Sequence, residues 1–187
     1  MEATDDLHVE AMSATNLSDL RTLLLSPPEG WCWCVAWEVP GWDGWKDRTA
    51  DMNHTLREHL WSEGQYHGFL FYVGRQPVGW CRVGPTSVWP KLCRERNVPP
   101  SDEVYAFTCF GMRPEFRKRG LTHEFLRQVL DRLRSRGIRR VVAFPKHTSE
   151  TSRDGELWNG PFSLYKRAGF SITRPSDRFY VASLALN

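Results

Sequence analysis

The densest chemistry in the chain lies in four consecutive residues, Arg117, Lys118, Arg119 and Gly120. They sit between a β-prone apolar run, Val104 to Met112, and a segment with helical spacing that begins at Leu121. Three cations and a glycine at the start of a helix describe an anion site on physical grounds. The first N–H groups of a helix lack internal acceptors, and the helix dipole adds partial positive charge at that end. Gly120 lets a charged group come close to the backbone. The chemistry would be the cradling of a diphosphate. The same residues would also serve as an ordinary basic turn between a strand and a helix.

A second group lies in the run GWCWCVAWEVPGWDGW. Eight of the nine tryptophans fall between Trp31 and Trp89, and Cys32 and Cys34 form a Cys-x-Cys pair. Strand-like alternation predicts both cysteines on one face, with Trp31, Trp33 and Val35 on the other. Two thiols are too few for a metal site, and bringing in Cys81 or Cys109 matches no zinc spacing. No metal is expected, and the cysteines read as small apolar packing groups. Five cysteines, irregularly spaced, do not form a disulfide framework. Trp33 and Trp37 are candidate walls of a substrate pocket, because aromatic faces suit a cationic amine. Plain packing is the other reading.

The elements that must hold these groups follow from periodicity. Leu121, Phe125, Leu126, Val129, Leu130 and Leu133 define one helical face, and Gly137 is a stop. Upstream, the pattern predicts a strand over Leu7–Met12, a helix capped by Thr15 or Asn16 and running through Leu25, and a helical period over Lys46–Trp61. A hairpin of Gly68–Val73 with Val78–Val83 follows, then a short helix ended by Pro99 and Pro100. Downstream come a buried strand at Arg139–Phe144 and a polar loop, KHTSETSRDGE, expected to be mobile. A short helix over Gly160–Ala168 and a closing hairpin from Phe170 to Leu186 complete the chain. The strand at Arg139 is expected to lie parallel to the one ending at Met112.

Composition bounds the function. A length of 187 residues with 41% hydrophobic and 25% charged residues suits one soluble domain over 1–187. No apolar run has the length of a membrane span. The acidic start, MEATDDLHVE, is unlike a signal peptide, so a cytoplasmic location is the default expectation. Net charge is +3, but residues 113–140 hold ten Lys/Arg against three Asp/Glu. Phe116 and Phe125 are the two Phe, Tyr or Trp residues in that basic stretch, which is not the interleaving that stacking on bases would need, so nucleic acid is not an expected partner.

Two motifs carry a family resemblance. RPEFRKRGLT resembles the acyl-CoA-binding signature of the GNAT superfamily of N-acyltransferases, Gln/Arg-x-x-Gly-x-Gly/Ala. Arg117 and Gly120 match it, and Thr122 stands where the pattern has Gly or Ala. LYKRAGF, from Leu164 to Phe170, resembles the second hallmark of that superfamily, Leu-Tyr-x-x-x-Gly-Phe. The chain also resembles a branch with a Cys-x-Cys near the N-terminus and a Pro-Val-Gly-Trp-Cys hairpin, here Pro77 to Cys81.

The resemblance implies an α/β fold. A mixed sheet of roughly six to seven strands, flanked by helices, would splay between its two central parallel strands. It implies acetyl-CoA as co-substrate, its diphosphate on the amides from Arg117 to Thr122, Leu121 included, and its pantetheine arm bonded to the backbone near Phe110 and Met112, with Gly111 allowing close approach. The thioester carbonyl would meet the amide near Phe110. Tyr165 would protonate the departing thiolate. The glutamate that some relatives carry inside the central strand is Ala106 here, which leaves Glu103, beside Asp102, as the candidate base. Asn159 is the nearest match to a cofactor-binding asparagine. The implied activity is acetyl transfer to a primary amine of a small molecule by direct attack, with the protein a monomer or homodimer. Acylation of a protein or aminoacyl-tRNA amine is one alternative, and an acyl-CoA-binding sensor without turnover is another.

Overall fold

The computed structural model describes residues 6–25, 30–145, 158–176 and 179–186. The expected loop KHTSETSRDGE falls outside them. Seven strands form one sheet: β1 (Leu7–Ala11), β2 (Phe69–Val73), β3 (Gln76–Pro85), β4 (Val104–Met112), β5 (Arg140–Ala143), β6 (Ser171–Ser176) and β7 (Phe179–Ala185). Their order is β1-β2-β3-β4-β5-β7-β6. Only β4 and β5 pair in parallel among the described residues; the other neighbours are antiparallel. The helices are α1 (Leu17–Leu24), α2 (Ala50–Ser62), α3 (Pro90–Arg96), α4 (Leu121–Ser135) and α5 (Phe162–Arg167). This is the expected mixed α/β architecture.

The crossover from β4 through α4 to β5 places α4 on one face of the sheet. Phe125, Leu126, Val129, Leu130 and Leu133 are buried there, the face that the spacing predicted. Phe125 stacks on Phe71 from β2 with ring centroids 4.8 Å apart. The main core on this side also takes Phe107, Phe110 and Met112 from β4 and Tyr165 from α5. The opposite face carries a second core, in which Leu20, Leu23 and Leu24 of α1 and Trp61 of α2 cover Leu70, Tyr72 and Trp80. β2 divides its side chains between the two, Phe69 and Phe71 to one and Leu70 and Tyr72 to the other, as strand alternation requires.

Two irregularities in β4 shape the space beside it. Arg82 pairs with Cys109 while the adjacent Val83 pairs with Phe107, so Thr108 is an extra residue in β4. Such a bulge turns the strand and re-aims the side chains after it. Then β4 and β5 part. Their pairing covers Val104–Phe107 against Arg140–Ala143 and goes no further. The predicted splay is therefore present, beginning at the bulge.

The Cys-x-Cys run is not a strand. Gly30–Cys32 is one 3-10 turn and Trp45–Asp47 another, with turns and bends between. Trp33 and Cys34 have positive φ, 45° and 52°, so the alternation that a strand imposes does not apply. The helical period assigned from Lys46 begins later, at Ala50, where the Thr49 hydroxyl accepts from the Met52 amide.

Candidate functional site

The open edge of β4 faces a cavity of about 550 Å³. Thr108, Cys109, Phe110, Gly111 and Met112 form one wall, and Arg117, Lys118 and Thr122 continue it toward α4. The far wall comes from the tryptophan run, with Trp31, Trp37, Trp42 and Trp45 beside Cys32 and Cys34. Trp80, Trp158, Gly160 and Pro161 close the sides. The basic turn and the tryptophans therefore open onto one hollow.

The basic turn runs into α4 at Gly120. Gly120 caps α4 with φ 77°, and a methyl group built on it would have nothing within 4 Å. That is the close-approach surface an anion needs at a helix N-terminus. The Thr122 hydroxyl turns to the Met112 sulfur at 3.8 Å. Leu121 packs against the main core, and the Arg119 guanidinium lies over the Phe116 ring. Arg117 is partly committed elsewhere: its amide donates to Pro114 and its Nε donates to the Met112 backbone oxygen at 2.7 Å. That bond ties the end of β4 to the turn. The residues fit a bound diphosphate, with the open face of Gly120 as the observation.

Other expected site residues are placed differently. The Phe110 amide donates to the Trp158 backbone oxygen at 2.6 Å, so it already has an acceptor. Gly111 gives close approach to Trp80: a Cβ there would lie 2.3 Å from that ring. Trp33 is buried in the second core against Trp61 and His54 and does not line the cavity, because its left-handed backbone turns it inward. Trp37 does line it. Glu103 is exposed at the start of β4, seven residues before Phe110 and so about 23 Å along an extended strand. The structure does not bring it to the cavity. Tyr165 is fully buried, and its hydroxyl donates to the Asn159 backbone oxygen at 2.8 Å. Gly160 separates that hydroxyl from the hollow, since a Cβ on Gly160 would stand 2.9 Å from it. Burial pushes the phenol up from its ordinary pKa.

Several residues that the sequence did not single out turn out to be central. The Glu38 side chain, 8% exposed, bonds Arg82, Arg57 at 3.5 Å and the Trp89 indole at 3.2 Å. Arg57 in turn donates to the backbone oxygens of Trp33 and Cys34. Lys91 is buried, with its ammonium 3.3 Å above the Trp42 ring centroid. It also donates to the backbone oxygens of Ala36 and Gly41. The tryptophan box is thus already served by a cation of the chain itself. The available signal for Glu38 is a carboxylate flanked by Trp37 and Val39 in a tryptophan-rich run. Cys109, separated from Cys34 by 75 residues, has its sulfur 3.4 Å from the Cys34 sulfur. Among the described residues no group of three or more His, Cys, Asp or Glu is disposed to hold a metal ion, and no helix is long and apolar enough to cross a membrane.

Comparison with known proteins gives three results. The family model of the acetyltransferase (GNAT) family matches residues 23–157. No curated protein matches the chain. Solved structures do. The Drosophila melanogaster polyamine N-acetyltransferase, described as forming N-acetylagmatine, aligns with a TM-score of 0.57 at 17% identity, over 97% of this chain and 100% of that one. PaiA N-acetyltransferase from Thermoplasma acidophilum, solved with coenzyme A, gives 0.54 at 13% identity over 96% and 99%. The ribosomal-protein-S18-alanine N-acetyltransferase of Escherichia coli gives 0.52 at 11% over 97% and 94%. At these identities the likeness is one of fold.

Proposed function

The chain belongs to the GNAT acetyltransferase family, and from that premise we propose that it moves an acetyl group from acetyl-CoA to the primary amine of a small molecule. The observation that carries this reading is the single hollow shared by the basic turn and the tryptophan walls. Arg117, Lys118 and the backbone from Arg119 to Thr122 would hold the diphosphate. The splayed edge of β4 would receive the pantetheine arm, with the Trp158 oxygen giving up the Phe110 amide. Acetyl-CoA supplies an activated acyl group; the amide bond forms as the carbon–sulfur bond breaks and coenzyme A leaves as the thiol. Tyr165 is the residue that would protonate it, reached past Gly160. One acyltransferase domain over 1–187 accounts for all of these parts.

The lining narrows the acceptor. Six tryptophans face the cavity, and among the described residues no carboxylate does. A polyamine, the acceptor class for which the Drosophila enzyme is named, keeps a second ammonium that needs an anion or a free aromatic face. Here the cation over Trp42 is Lys91 itself. A flat, apolar amine with one ammonium fits better, its ring against tryptophan faces. A macromolecular acceptor docked on the basic face is less supported. Arg127 and Arg134 on α4 are already paired with Glu124 and Asp131.

The test has two arms. Calorimetric titration with acetyl-CoA is expected to show binding, and a thiol-release screen over an amine panel is expected to favour phenethylamine-type amines over spermidine and agmatine. No acetyl-CoA binding would overturn the transferase reading. A preference for polyamines would overturn the acceptor class alone.

A further inference from the structure

We propose that Lys91 sets the acceptor specificity of this site: its ammonium fills a receptor for an alkylammonium built from Trp37, Trp42, Trp45 and two backbone oxygens, and so shuts out amines that carry a second positive charge. The inference rests on the acetyltransferase reading and names the residue that decides its acceptor class.

The box is the first observation. The Trp42 ring meets Trp37 at 71° and Trp45 at 84°, with centroids 5.4 and 5.9 Å apart. Rings set nearly at right angles to a central one bring their faces round a common space, the arrangement that holds ammonium ligands. The Lys91 Nζ stands in that space, 3.3 Å from the Trp42 centroid, 5.8 Å from Trp37 and 5.9 Å from Trp45. The same nitrogen donates to the Ala36 oxygen at 2.8 Å and to the Gly41 oxygen at 2.9 Å. A primary ammonium needs both kinds of partner: electron-rich faces for its charge and acceptors for its protons.

The second observation is the cost of putting a lysine there. Lys91 is 2% exposed, and its hydrogen bonds go to backbone oxygens and not to a carboxylate. It stands in the first turn of α3, the end of a helix where the dipole disfavours a cation. Burial brings its pKa down to about 8, so the charge is still present at neutral pH. A buried ammonium without a carboxylate is unfavourable, and the rings and oxygens are what offset it.

The third observation is position. Ala36, Trp37, Trp42 and Trp45 all line the hollow, so the ammonium lies directly behind the wall that an acceptor would touch. A monoamine attacks through its neutral nitrogen and lays its apolar part on the indoles. A diamine brings a second ammonium to faces already occupied, beside a fixed like charge. Among the described residues no carboxylate lines the cavity to receive it. The discrimination is therefore by occupancy and by repulsion.

Lys91→Ala empties the box, and Lys91→Gln keeps an N–H donor in it while removing the charge. The kcat/KM for agmatine relative to phenethylamine is expected to rise about tenfold or more in the alanine variant, and by a smaller factor in the glutamine variant. Arg96, 5.3 Å from the Trp37 centroid, stays in place, so the gain comes through Trp42 and Trp45. A purely structural Lys91 would lower both rates and leave their ratio unchanged, which overturns the proposal. A wild type that takes agmatine as readily as phenethylamine overturns it too. Should the alanine variant fail to fold, the ratio in the glutamine variant decides. Thermal unfolding gives a readout free of turnover: ethylammonium chloride, against sodium chloride at equal concentration, is expected to raise the Tm of Lys91→Ala and not that of the wild type. Equal shifts in the two proteins overturn the proposal. A wild type that acetylates no amine overturns the transferase reading instead, and the Tm comparison then decides the box alone.

Discussion

The Tyr165 hydroxyl donates to the backbone oxygen of Asn159 at 2.8 Å, directly behind the glycine that forms the cavity wall. The phenol is packed among Phe107 and Phe170 and has no exposed surface. Its proton is therefore both fixed in direction and retained. A group held this way has a structural use and a chemical one, and the two separate on substitution.

Tyr165→Phe removes one buried hydrogen bond and leaves the Asn159 oxygen without its donor, an expected loss of about 1 kcal/mol in urea unfolding. If the hydroxyl also serves the leaving thiolate, kcat falls while the KM for acetyl-CoA holds. A variant that loses stability and keeps its kcat would confine Tyr165 to packing. The raised phenol also has a pH signature. Its contribution to stability is complete below about pH 10, where the unfolded phenol begins to ionise, and is lost as the pH climbs further.

At Gly120 two substitutions separate strain from occlusion. Gly120→Ala puts a Cβ into open space at φ 77°, so the cost is that of the left-handed backbone, about 1–2 kcal/mol in chemical unfolding. Gly120→Glu adds a carboxylate at the helix N-terminus where an anion would lie. Its calorimetric titration with acetyl-CoA is expected to be flat, with the alanine variant still binding.

Glu38 is the anion shared by Arg57 and Arg82. Glu38→Gln keeps the shape and removes the charge, leaving two guanidiniums buried together. A loss of about 3–5 kcal/mol in unfolding free energy is expected. The double variant Glu38→Leu with Arg82→Met is expected to lose less, because it removes a cation along with the carboxylate. Equal losses would mean that packing, and not charge, sets the stability of this cluster.

Arg21 on α1 grips Glu58 on α2 through two bonds, 2.8 and 2.6 Å, and His54 adds a third at 3.0 Å. Arg21 holds the Glu58 carboxyl below its usual pKa of 4.5. A depressed carboxyl stabilises the fold above its unfolded pKa, and that stability is lost as the pH falls through the folded value. The Tm gap between wild type and Arg21→Gln is therefore expected at neutral pH and to close as acid protonates the Glu58 carboxyl in the folded protein. A gap that persists in acid would assign the effect to Arg21 packing over the Trp61 ring.

How far the sequence reaches can be read from single residues. The α4 face was fully legible, because Phe125 to Leu133 obey one period and pack on one surface. The basic turn and the Leu-Tyr motif were legible as local strings. The tryptophan run was not. Its alternation mimics a strand, yet the conformation at Trp33 and Cys34 is imposed by Arg57 from a helix more than twenty residues away. Lys91 reads as a surface cation until Trp42 covers it. The approach of Cys109 to Cys34 depends on where β4 bulges, and no periodicity encodes that. Glu103 failed as a candidate for the opposite reason: it is close in sequence to the site strand but lies at its far end.

Six of the nine indoles in this protein stand around one hollow. The molecule is consequently its own optical probe. Ultraviolet excitation falls mostly on the walls of the cavity, and the emission colour reports the polarity inside it. Whatever enters, whether it reacts or only lodges there, announces itself without a label attached.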